Sequence, residues 1–138
     1  MYYKTVIKHK EQDEQGLLKE IKEQHLVESV SYTDAETRIF EIMLDEGFSS
    51  PEVVGITKTK FAQVLVDIDS DENSIYFQGV ISFVSIDDNG KQKKIKEPVL
   101  IYCKSIERAM EYLKDELKEF AVPVEIEAIT KTAIIDIH

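Results

Sequence analysis

The chain of 138 residues is long enough for one ordinary domain or for two half-domains sharing a core, and its 43% hydrophobic content is adequate for folding without metal or disulfide staples. Lys and Arg number 17 against 27 Asp and Glu, a formal net charge of −10 that repels nucleic-acid phosphates and anionic membrane surfaces, so free nucleic acid is disfavoured as a partner. Cys103, the single cysteine, excludes an intrachain disulfide, MYYKTVIKHK has no apolar run of the signal-peptide kind, and no stretch reaches the roughly 18 apolar residues of a membrane span; a cytoplasmic location and no membrane partner are expected.

The tetrapeptide Ile-Thr-Lys-Thr occurs at Ile56–Thr59 and again at Ile129–Thr132. A shift of 74 positions lays Tyr2 on Tyr76, Val6 on Val80, Ile7 on Ile81, Asp13 on Asp87 and Gly16 on Gly90, then Lys19–Glu23 on Lys93–Glu97, Leu26 on Leu100, Ser31 on Ser105 and Ala35 on Ala109. The shift becomes 73 before the two tetrapeptides, so one residue has been gained or lost after the helix. Ordered matches on both sides of a repeated tetrapeptide indicate a duplication, and two copies of half a domain suit one pseudo-twofold body better than a solenoid.

In chain order, each copy opens with a hairpin. Residues Ile75–Ile86 are rich in β-branched and aromatic side chains, and Asn89-Gly90 suggests a two-residue type I′ turn. That turn would set Val84 opposite Ile95 and Val80 opposite Val99, with Pro98 at an edge or a bulge. Asp13-Glu14-Gln15-Gly16 suggests a looser turn in the first copy. A helix follows: Thr33-Asp34-Ala35-Glu36 fits a capping box ahead of the stripe Ala35, Ile39, Ile42 and Met43, while Ser105 is the expected cap for Ala109, Leu113, Leu117 and Phe120. Loops with Pro51 and Pro123 lead into strands that change character near the tetrapeptides, which suggests a bend or bulge followed by segments buried on both faces, such as Ala133-Ile134-Ile135.

The expected architecture is α+β: two tandem ββαβ repeats with pseudo-twofold symmetry forming one compact domain with an antiparallel sheet and two helices. Repeat one spans residues 1–67, an acidic link 68–74, and repeat two 75–138.

Chemistry is sparse. Asp67, Asp69 and Asp71 imitate the start of an EF-hand loop, but Glu72 replaces its glycine and Gln78 its bidentate glutamate, so a solvated linker is the reading. His9, His25 and His138 are too scattered along the chain to resemble a zinc site, and read as surface or half-buried side chains; Cys103 reads as a small apolar filler. No phosphate loop, dinucleotide fingerprint or nucleophile elbow is present, and no carboxylate can be nominated as an acid or base, so no catalytic residue, metal or cofactor is expected. Two basic features stand against the acidic average. Lys91, Lys93, Lys94 and Lys96 flank the second hairpin turn and read as protection of an edge strand, with phosphate contact as the alternative. Thr57, Lys58, Thr59, Thr130, Lys131 and Thr132 are candidate lining residues for a small anionic ligand should the repeats frame a cleft; inherited strand-forming threonines are the plainer reading.

The long first hairpin, the helix start Ser31-Tyr32-Thr33-Asp34-Ala35-Glu36-Thr37-Arg38-Ile39, the second hairpin and the late Ala133-Ile134-Ile135-Asp136 segment resemble the domain-of-unknown-function family 4494 of Bacteroidetes and their phages, over nearly the whole chain. The resemblance transfers no catalytic residue. It implies a small cytoplasmic accessory protein of a phage or mobile element. A non-enzymatic acidic protein is therefore expected, acting by contact with a protein partner, with inhibition of a host factor as one form of that contact; sequestration of a small anionic ligand or nucleotide is the alternative, and a homodimer is left open.

Overall fold

Both hairpins are set by one kind of turn. In the computed structural model, which describes residues 1–138, Asp87 N donates to Lys91 O at 3.0 Å and Gly90 N to Asp87 O at 3.0 Å. The Asp87 carboxylate accepts from Asn89 N (2.9 Å) and Lys91 N (2.8 Å), and Gly90 alone takes a positive φ, 78°. This is a three-residue connection with a glycine bulge, so the expected type I′ turn and its register are corrected: Asp87 claims the amides, and Asn89 never enters the left-handed region. The first hairpin repeats the arrangement, with Asp13 Oδ1 accepting from Gln15 N and Leu17 N at 2.9 Å and Gly16 at φ 80°, so its turn is not looser.

The hairpin arms are β1 (Tyr2–Gln12) with β2 (Leu18–Glu28), and β5 (Ile75–Ile86) with β6 (Gln92–Cys103). Tyr2 faces Glu28 and Ile75 faces Cys103. Val84 faces Lys94 and Val80 faces Pro98, one residue away from the expected pairs.

The helices α1 (Tyr32–Asp45) and α2 (Ile106–Leu117) are capped alike. Ser31 Oγ accepts from Asp34 N and Ser105 Oγ from Arg108 N, each at 3.1 Å. The first cap is therefore Ser31 and not Thr33, because Ser31 is the extended residue (φ −154°, ψ 164°) from which the helix departs. Ala35, Ile39 and Met43 are buried under α1, and Ala109 and Leu113 under α2; Phe120 lies beyond α2 and is exposed.

Four more strands follow: β3 (Ser49–Lys58), β4 (Val64–Val66), β7 (Val124–Lys131) and β8 (Ile134–Ile137). One sheet has the order β3-β1-β2-β8 and the other β7-β5-β6-β4. The α+β fold thus has two sheets, and each takes its fourth strand, parallel to its neighbour, from the other repeat. The chain divides into unit 1, residues 1–59 and 133–138, and unit 2, residues 60–132. The anticipated bulges lie just before the repeated tetrapeptides, at Val54 (Val6 faces Gly55, Ile7 faces Val53) and at Glu127 (Val80 faces Ala128, Ile81 faces Ile126). The segments beyond are not buried on both faces: Val66 and Ile135 are exposed, Ile135 because β8 bulges there, Gln24 facing Ile134 and His25 facing Asp136.

In unit 1, Tyr3, Ile7 and Val27 pack with Ala35, Ile39 and Met43; in unit 2, Phe77, Ile81, Val99, Ile101 and Cys103 pack with Ala109 and Leu113. Gly79 occupies the place held by Thr5 in unit 1. A Cβ there would stand 3.0 Å from Leu113 Cδ2 and 3.3 Å from Val99 Cγ2, so the absent side chain lets α2 seat closely. At Gly55 the nearest side-chain atom would be Val6 Cβ at an ordinary 3.8 Å. Gly79→Ala is expected to destabilise by about 1–3 kcal/mol through overpacking, and Gly55→Ala to change stability by less than about 1 kcal/mol. Urea unfolding of the two variants tests the contrast.

Candidate functional site

The polar chemistry of unit 1 is concentrated where β1, β2 and β8 adjoin. Alternation along β2 puts Glu23, His25 and Val27 on one face, opposite Ile7, Thr5 and Tyr3 of β1, which is the face that α1 covers. His9 continues that face on β1, and His138 follows the end of β8. The three histidines that are scattered in sequence are therefore linked in one chain through Glu23, and the expectation of surface or half-buried histidines is corrected for His9 and His25. His9 and His25 are buried, 6% and 4% exposed.

His9 Nε2 lies 3.2 Å from Glu23 Oε1, His25 Nε2 lies 2.9 Å from Glu23 Oε2, and His25 Nδ1 lies 2.9 Å from His138 Nε2. Burial acts to raise the Glu23 carboxyl, but hydrogen bonds from His25 and His9 outweigh it and hold it below the usual carboxylate range. An ionised carboxylate only accepts, which places a proton on Nε2 of both His9 and His25. In neutral His25, Nδ1 is then an acceptor, and His138 Nε2–H donates to it. The result is a directed chain, His138 to His25 to Glu23, with His9 on the other carboxylate oxygen and its ring stacked on Phe48 at 4.0 Å between centroids. The donors form a chain and do not converge on one point, and no group of three or more offers a metal cage.

Around this chain, Thr5 Oγ1 donates to His25 O at 2.9 Å, His138 N to Leu26 O at 2.8 Å, and Glu28 N to His138 O at 3.0 Å. The corresponding residues of unit 2 are Phe83 for His9, Gly79 for Thr5 and Val99 for His25. The polar chain is thus a property of unit 1. Sequence spacing held one usable signal, Glu23 and His25 two apart on a strand; His138 could join them only through the return of β8.

Unit 2 fixes its borrowed strand differently. Asp67, directly after β4, is 1% exposed and accepts from Arg108 Nε at 2.6 Å and Arg108 Nη2 at 3.0 Å. The guanidinium holds the Asp67 carboxyl below its ordinary value, with burial opposing, and lies 5.9 Å from the Tyr112 ring centre. The first aspartate of the calcium-like run is therefore committed to an arginine.

The repeated tetrapeptide ends where the chain leaves each unit. Thr59 Oγ1 donates to Tyr2 O at 2.7 Å and Thr59 N to the same oxygen at 3.0 Å; Thr132 Oγ1 and N meet Tyr76 O at 2.7 and 3.1 Å. Thr57, Lys58, Thr130 and Lys131 are exposed, one pair in each unit. Lys91, Lys93, Lys94 and Lys96 belong to the turn and to the arm of β6 that β4, reaching only Leu100–Tyr102, leaves uncovered. Lys94 Nζ bonds Glu127 Oε1 at 2.7 Å; together with the Ser82 hydroxyl (2.6 Å) it lowers the Glu127 carboxyl to about 2. Pro98, just before the residues that β4 pairs, costs the β5–β6 ladder nothing, because its carbonyl and its missing amide face away from β5: Pro98 O accepts from Ala62 N at 3.0 Å. Cys103 is a buried member of the α2 core, its thiol donating to Ser105 O at 3.3 Å and pushed up by burial.

The family model described as "Domain of unknown function (DUF4494)" matches residues 1–138, and the chain belongs to that family. None of the curated proteins matches it. No helix is long and apolar enough to cross a membrane.

Thr59→Val and Thr132→Val should each cost about 1 kcal/mol, the net worth of one hydrogen bond, measured by chemical denaturation. Glu23→Gln should cost more, about 1–3 kcal/mol, because an amide presents its own N–H groups to one of two imidazole donors.

Proposed function

For a member of a family whose description states no activity, we propose a non-enzymatic binding protein that holds a basic, amphipathic segment of a protein partner in the groove between α1 and β3. The observation that carries this reading is the groove's lining: Glu36, Glu41 and Glu52 surround Phe40, Pro51 and Val53 in a cavity of about 530 Å³. Phe40 is 39% exposed, and Leu44, one turn further along α1, 54%. Apolar anchors flanked by carboxylates complement a helix or extended segment with Leu or Phe on one side and Lys or Arg on the other. Lys8 lies 3.8 Å from Glu52 and 2.9 Å from Glu20, so one of the three groove carboxylates is already partly balanced.

Strand addition, the other route to a protein partner, is disfavoured by how the edges are finished. β3 carries Pro51, a positive φ of 51° at Ser50 and the Val54 bulge; β7 carries the Glu127 bulge; the uncovered arm of β6 carries Lys93, Lys94 and Lys96. Each is a device that keeps foreign strands from pairing. Contact then falls to the groove. A host factor that normally binds DNA is the partner class favoured here, because its basic segments match both the groove and the net charge of −10, and such inhibition would suit a protein of phage or mobile-element origin.

The corresponding groove of unit 2, between α2 and β7, supplies the control. It is lined by Met110, Lys114, Leu117 and Lys118 among others, so it has lysines where unit 1 has Phe40 and Leu44. Capture from host lysate with wild-type protein, with Phe40→Ser/Glu41→Lys and with Lys114→Glu/Lys118→Glu tests the reading. A stoichiometric protein that is released by high salt, lost with the first variant and retained with the second is expected. Equal capture by all three, or capture lost only with the second, contradicts it.

A further inference from the structure

The chain His138–His25–Glu23–His9 joins the borrowed strand of unit 1 to the hairpin that receives it, and the geometry points to a pH-operated latch: protonation of its imidazoles releases β8 from β2, while β4 stays seated in unit 2. Three observations carry this. First, β8 is short, Ile134–Ile137, bulges at Ile135, and meets β2 at only Gln24, His25 and Leu26, so its backbone pairing alone is weak. Second, its end is fixed to β2 by His138, through backbone bonds to Leu26 and Glu28 and through the ring bond to His25. Third, that ring bond has room for one added proton and not for two. With one, whichever ring carries it, a single hydrogen still lies between the two facing nitrogens. With two, both facing nitrogens carry hydrogen at 2.9 Å and the bond cannot exist.

The charges around the latch come from every element beside it. β1 supplies His9, β2 supplies Glu23 and His25, β8 supplies Asp136, α1 supplies Arg38, and the residue capping its C-terminal end is Glu46. At His138, burial disfavours the charged ring most, Asp136 opposes that, His25 adds to it, and Glu46 and Arg38 act in opposite directions; the net shift is downward from 6.5. A histidine that resists protonation when folded contributes stability in full above its unfolded value. That contribution is lost as pH falls through the lowered folded value, so the window opens near pH 6.5 and extends below it. The lock on β4 has a different window. Asp67 is held below 3.8 by Arg108, so its contribution persists until the acid range of carboxylates. Mild acid therefore loosens one borrowed strand and spares the other.

Amide hydrogen exchange on the full chain, followed from about pH 7.5 to about pH 5 and expressed as protection factors to remove the intrinsic pH dependence, tests this. The reporters are the amides of Glu28 and His138 at the end of β8, with the Asp67 amide, bonded to Tyr102 O at 3.0 Å, as the reference at the end of β4. Protection of Glu28 and His138 should fall about tenfold or more relative to Asp67 across that range. His138→Gln, which keeps an N–H donor toward His25 and cannot become charged, should abolish the pH dependence. Reporters that stay in step with Asp67, or the same loss in His138→Gln, would overturn the latch. Should that variant fold poorly, imidazole ¹⁵N spectra of the wild type decide: titration of both His25 and His138 with β8 protection unchanged also overturns it.

Discussion

The structure depends on the backbone's demand for hydrogen-bond partners at the outer side of each hairpin's second arm. β2 and β6 are satisfied there, over their last residues, by strands that come from the other repeat in sequence, β8 and β4, each parallel to its host and each only three or four residues long. Strands so short hold weakly by themselves, and the molecule adds a side-chain lock at the end of each. Asp67 with Arg108 serves β4; His138 with His25 and Glu23 serves β8. The threonine closing each Ile-Thr-Lys-Thr segment fastens the chain to the start of its own hairpin immediately before it departs, which gives the repeated motif a structural reason.

One backbone plan thus carries two chemistries. The hairpin register, the helix caps, the bulges and the threonine clasps recur in both units, while the side chains on the helix-covered face diverge. Where unit 2 has Phe83, Gly79 and Val99, the last of them part of its apolar core, unit 1 keeps His9, Thr5 and His25 with every buried polar side-chain atom partnered. A satisfied buried polar network loses little stability and gains a proton-dependent element; an apolar core is indifferent to pH. The outer grooves diverge as well, acidic around Phe40 in unit 1 and lysine-rimmed around Met110 in unit 2.

Much of this was legible in the sequence because it is written in local periodicity. The recurrence of one order of elements in both halves, the Ser105 cap and the inward stripes of both helices, apart from Phe120 beyond α2, follow from spacing alone. The turn type was not, since Asn-Gly suits two turns and the choice belongs to Asp87, whose carboxylate binds two amides beyond it. The Ser31 cap was masked by a good capping box two residues later. The exchange of last strands was out of reach, because periodicity fixes which face of a strand is buried and says nothing about which neighbour it pairs with. For the same reason the histidine chain was hidden: His138 reaches His25 across 113 positions, by way of a strand that belongs in sequence to the other repeat.

The exchange itself can be tested by cutting the chain. A protease site placed in the acidic link, residues 68–74, yields two fragments, the first carrying β4 and the second β8. Each fragment then holds a strand that completes the other's sheet, so the nicked protein should remain one species in gel filtration under native conditions and separate only in denaturant. Fragments that part freely in native buffer, each still folded, would contradict the account.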